Sequence, residues 1–205
     1  MRQKLGCLIS VLLSALIACH STGILQGGSQ VRAFRERYVD QPFYTAMVIQ
    51  PHRYNTEYLI DLTGSMADLD AGALRAPVVV PLGTPITIVG LDSRHVLARI
   101  PGHTPLFHIL VHTQRRTLDD LAQELSLVVT KEPPLQLVGP DMRPFIERQE
   151  VVRGMVRREV FMSWGLPDKI TSVPGSAGPL EEWIYFSKHM HLFLDNGVVT
   201  NWQQY

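Results

Sequence analysis

Between residues 77 and 105 a proline or glycine stands at positions 77, 81, 83, 85, 90, 101, 102 and 105. These breakers cut the chain into short runs such as Val78-Val79-Val80, PITIVGL from Pro85 and LFHILVH from Leu106. Short β-branched runs bounded by turn residues read as strands. The same texture extends from Phe43–Ile49 through Tyr54–Asp61 and Val96–Ile100, so residues 42–130 are expected to be a β-rich module. Hydrophobic residues make up 45% of the 205 and charged residues 19%, enough for most of the chain to fold.

The N-terminus carries a different signal. Arg2 and Lys4 precede an uncharged stretch, LGCLISVLLSALIA, from Leu5 to Ala18. A basic start followed by an apolar run too short to span a bilayer has the layout of a secretory signal. It ends in Leu16-Ile17-Ala18-Cys19, which resembles the bacterial lipobox. The resemblance implies that residues 1–18 are a signal peptide. It also implies that Cys19 becomes the acylated first residue of the mature chain. The partner so implied is the lipid bilayer, since several acyl chains hold far better than one. His20 rather than Asp follows the cysteine, which favours the outer membrane with the protein facing the periplasm. Cys7 leaves with the signal, so the mature chain forms no internal disulfide. Residues 19–41, rich in Gly, Ser and Gln at their start, are expected to be a tether.

Basic and acidic residues are balanced at 19 each, which leaves no electrostatic footprint for nucleic acid. The segment PVVVPLGTPITIVGLDS resembles an SH3-like barrel. Thr117, with Asp120 three residues on, opens a helix whose Leu118, Leu121, Ala122 and Leu125 share one face. Residues 131–141 (KEPPLQLVGPD) read as a linker.

The last third has its own pattern. Helical spacing runs over 142–153 and again over 155–164, where Gly165 and Pro167 end it. The strands EWIYFS and MHLFL follow, and Asp195-Asn196-Gly197 turns the chain into a final strand. The pieces Gly154-Met155, Trp164-Gly165-Leu166-Pro167, Glu182-Trp183-Ile184-Tyr185 and Asp195-Asn196-Gly197 together resemble the BamE (SmpA/OmlA-like) outer-membrane lipoprotein domain. The match covers residues 142–205. It implies a helix–helix–three-stranded antiparallel sheet and a place in the envelope without catalysis. The fold class expected is therefore α+β: a small SH3-like barrel with an added helix, then a BamE-like module.

Trp183 and Tyr185 share one strand face, and Ile184 and Phe186 the other. The first pair is the candidate partner-binding surface. No Gly-x-Ser-x-Gly elbow, Walker loop or dinucleotide fingerprint occurs, so no catalytic residue and no cofactor is expected. His189 and His191 with Asp195 are the best metal candidates in sequence, but zinc wants three or four fixed ligands and no metal is expected. His108 and His112, four apart on a strand, stand too far apart for one ion. Arg115-Arg116 and Arg157-Arg158 offer charges for lipid headgroups. The expected role is a non-enzymatic binding or scaffolding component of the envelope, with outer-membrane protein assembly as one setting. Alternatives are a peptidoglycan-binding protein using a groove lined by Tyr54, Tyr58 or Phe107, or an accessory subunit of a secretion or pilus assembly.

Overall fold

A computed structural model describes residues 23–54, 56–64, 76–112, 117–176 and 178–205. It is an α+β protein with two sheets. The first comprises β1 (Pro42–Thr45), β2 (His52–Tyr54), β3 (Glu57–Asp61), β4 (Pro85–Leu91), β5 (His95–Arg99), β6 (Phe107–Leu110) and β7 (Val129–Thr130). Their spatial order is β2-β3-β6-β5-β4-β1-β7. All pairs are antiparallel except β3 and β6, which run parallel with Tyr58 opposite Phe107. The parallel pair and the seven strands depart from the small barrel expected. Turn residues mark where a chain reverses, whereas β3 and β6 find each other across two intervening strands. Val78-Val79-Val80 forms no strand; Val80 makes an isolated bridge to Ile49.

Alternation places Ile86 and Ile88, Val96 and Ala98, and Phe107 and Ile109 on one buried face. Two helices, α1 (Gly28–Tyr38) and α2 (Leu118–Leu125), add their apolar residues to the same core. Helix α2 is the one expected. The Thr117 hydroxyl accepts from the Asp120 N–H at 3.2 Å, and the Asp120 carboxylate accepts from the Thr117 N–H at 2.9 Å. Leu121 and Leu125 are buried in the core, and Leu118 and Ala122 pack against it.

Helix α1 corrects an expectation. The tether assigned to 19–41 is folded from its described start, with Ile24, Leu25, Phe34 and Tyr38 all buried. Val31, Phe34 and Tyr38 form a narrow apolar stripe inside an Arg-rich segment, and the preceding Gly, Ser and Gln conceal it. Phe34 stacks on Tyr38 at 5.2 Å between ring centres, and Tyr38 on Phe43 at 5.7 Å.

The second sheet comprises β8 (Lys169–Pro174), β9 (Pro179–Tyr185), β10 (Met190–Asp195) and β11 (Val198–Gln204), in the order β11-β10-β9-β8 and wholly antiparallel. Two helices precede it, α3 (Arg143–Glu147) and α4 (Arg157–Trp164). The sheet therefore has four strands where three were expected. Strand β8 is exposed along its whole length, so it carries no apolar alternation to reveal it. Helix α3 stops well short of residue 153, and soon after its end Gln149 adopts φ 55°, which no helix continues. The hairpin at Asn196-Gly197 has φ 47° and 78°, both positive as a tight turn of this kind requires.

The two cores meet. Phe161 packs against both, and its carbonyl accepts from the Val48 N–H at 3.2 Å. Gly165 has φ 78°, and a side chain there would run into the Val48 carbonyl. The linker expected at 131–141 is part of this contact: Pro134 and Val138 are buried, and Pro134 lies against Gly83. Prolines read as spacers in sequence, but here one fills the seam between modules.

Candidate functional site

Cys19 lies outside the described residues, as do Arg115 and Arg116. The described fold begins at Gly23 and is buried by Ile24. Four residues thus separate Cys19 from the first core side chain. Fully extended, the path from Cys19 to Ile24 spans about 18 Å at most.

Trp183 and Tyr185 are not a docking surface. They are 1% and 2% exposed and are among the largest side chains of the second core. Trp183 stacks on Phe161 at 5.0 Å and donates its indole N–H to Glu181 at 2.8 Å. Tyr185 donates its hydroxyl to the Gly165 carbonyl at 3.1 Å. A period of two assigns residues to faces but does not say which face the helices cover. The opposite face carries Ile184 with Val173, Leu180 and Val198. Phe186, at the end of β9, is 54% exposed.

Glu181 and Glu182, adjacent on β9, have separate partners. Glu181 lies on the helix side and takes a two-pronged hydrogen bond from the Arg157 guanidinium, one prong at 3.1 Å. The Arg157 hydrogen bonds hold the Glu181 carboxyl below its usual range against partial burial, with Trp183 and the Arg157 charge assisting. Arg157 also covers Gly197 of the hairpin. Glu182 faces outward, 2.6 Å from His191 Nδ1.

Of the aromatic residues suggested for a cell-wall groove, Phe107 is withdrawn into the core and Tyr58 is partly buried. Phe107 is fully buried, and Tyr58 and His103 pack against it at 4.9 and 5.5 Å. The side chain of Tyr54 lies outside the described set.

The histidines sort by geometry. His189 and His191 both lie against Tyr205, while Asp195 is at the far end of β10, about 13 Å from His191 along the strand. The sequence-derived triad therefore does not converge. His112 pairs with Glu124 at 2.9 Å, away from His108. A different group does converge: Asp92, His95 and His108 place one ligating atom each within 4.8 Å of one another. His95 and His108 stand on neighbouring strands, on the face of the first sheet opposite its core. Their rings meet edge to face at 5.3 Å. Asp92 sits in the turn between β4 and β5, where one carboxylate oxygen accepts from the Arg94 and His95 N–H groups at 2.8 Å each. His95 Nδ1 lies 3.0 Å from its other oxygen. Partial burial raises the Asp92 carboxyl, but these hydrogen bonds together outweigh it and hold the group below its usual range. Glu57, on β3, places Oε2 3.2 Å from His108 Nε2. Asp92 and His95 share one turn, and sequence reading missed the group because His108 joins them only when β6 pairs with β5.

Comparison with family models, with curated proteins and with solved structures gives no match. Among the described residues, no helix is long and apolar enough to cross a membrane.

Proposed function

We propose that this chain is an outer-membrane lipoprotein facing the periplasm, held through acylated Cys19, and that it serves as a non-enzymatic binding or scaffolding component of the envelope. One observation carries this reading. A basic start, an uncharged apolar run and Leu-Ile-Ala-Cys occur in register, and a folded body begins only four residues later. So short a spacer keeps that body within about 18 Å of the acylated residue, against the headgroups rather than deep in the periplasm. Helix α1, the first element after the anchor, offers Arg32, Arg35 and Arg37 toward an anionic surface. Confinement to the bilayer raises the effective concentration of weak contacts with other envelope proteins.

The BamE-like reading of 142–205 is supported by two short helices followed by an antiparallel sheet with an Asn-Gly hairpin. The SH3-like reading of 42–130 rests on the strand–turn–strand segment around β4 and β5 alone, so peptidoglycan binding takes second place. The test is fractionation of cells producing the wild type and Cys19→Ser. The wild type is expected with outer membranes, and the variant is expected to leave them. A Cys19→Ser chain that still sediments with outer membranes contradicts the anchor. Crosslinked envelopes that yield no specific protein partner contradict the scaffold.

A further inference from the structure

We propose that Asp92, His95 and His108 bind one divalent first-row transition-metal ion, with zinc the fitting probe. The donor set comes from two neighbouring parts of the first sheet: the β4–β5 turn with the first residue of β5, and β6. Chance exposed carboxylates gather easily on a surface, but two imidazoles with one carboxylate is a set that zinc and its neighbours select. Magnesium and calcium prefer oxygen ligands and gain little from two ring nitrogens.

The geometry is already close to a chelate. Donors 2.0–2.1 Å from a tetrahedral ion stand about 3.4 Å apart. The Asp92–His95 contact is 3.0 Å, so only the reach to His108 within the 4.8 Å group has to shorten. Asp92 is fixed before any ion arrives by its two backbone N–H donors. Glu57 lies outside the group of three, with Oε2 3.2 Å from His108 Nε2; with Nδ1 of His108 on the ion, it takes the place of the outer carboxylate that steadies a liganding imidazole. His95 and His108 are half-buried and Asp92 is exposed, so an ion held by the three would be reachable from solvent. Three protein ligands and one open position is the pattern of a site that exchanges a water for another ligand. This inference stands independently of the membrane anchor.

The test uses the full chain in detergent, stripped with chelator and then titrated with zinc by calorimetry and by equilibrium dialysis with metal analysis. One zinc per chain is expected, with excess magnesium unable to displace it. His95→Ala and Asp92→Asn are expected to weaken binding about tenfold or more. His191→Ala, at a separate histidine–carboxylate pair, is expected to leave it unchanged. Cobalt in place of zinc gives a visible absorption band that reports coordination directly, and circular dichroism confirms that each variant is folded. A folded wild type that takes up no stoichiometric zinc overturns the proposal. So does zinc binding that survives both His95→Ala and His108→Ala, or that is lost with His191→Ala instead.

Discussion

The two sheets solve the same problem in opposite ways. In the four-stranded sheet the spatial order follows the chain, so each strand pairs with one adjacent to it in sequence. In the seven-stranded sheet the order is scrambled: β1 pairs with β7, Tyr44 opposite Thr130, and β3 with β6. The first sheet also draws its cover from far away, since α1 precedes all its strands and α2 follows six of them. Local pairing makes a module that hairpin signals describe well. Distant pairing makes one whose order no local signal contains, and which closes larger loops as it folds.

If the two modules share one continuous core, damage in either should unfold both. Trp183→Ala is expected to have the largest effect, a loss of about 3–5 kcal/mol, because it empties the second core against Phe161. Phe186→Ala, its exposed neighbour, is expected to cost about 0.5 kcal/mol or less. Denaturant melts of both variants measure the contrast, and equal effects would restore Trp183 to the surface. Gly165→Val comes next, at about 3 kcal/mol, since it combines positive φ with a clash on Val48. A single cooperative transition at lower temperature is expected. Two resolved transitions in the wild type would separate the cores.

Glu181→Gln should cost about 1–2 kcal/mol at neutral pH, by leaving Arg157 without its carboxylate. The sign with pH follows from the direction of the shift. Glu181 is held below its usual range when folded, so its contribution is full above the unfolded value near 4.3 and fades as pH falls through the lower folded value. The difference between wild type and variant should therefore shrink below about pH 4, as read by melting across that range. Thr117→Ala is expected to cost about 1 kcal/mol, from the lost cap of α2. It addresses the first sheet's cover alone, and no change in melting temperature would remove α2 from the cooperative unit.

Legibility required a local signal, and a local element without one stayed hidden. The α2 cap, the α4 terminus at Gly165 and the Asn196-Gly197 turn each lie within a few residues, and each was readable. Strand β8 was hidden because neither of its faces is buried. Helix α1 was hidden because its apolar stripe is diluted by three arginines. Trp183 and Tyr185 were placed on a common face correctly, but the sequence does not say on which side α4 lies. In the Asp92–His95–His108 group, Asp92 and His95 are only three residues apart, but His108 comes beside them only through the register of the β5–β6 pair, which no single run of sequence states.

Mass spectrometry of the N-terminal peptide from membrane-extracted protein tests the envelope assignment most directly. The account predicts a mature chain starting at Cys19 and heavier by a diacylglyceryl group on its sulfur. An intact Met1 terminus, or an unmodified start at any later residue, contradicts it.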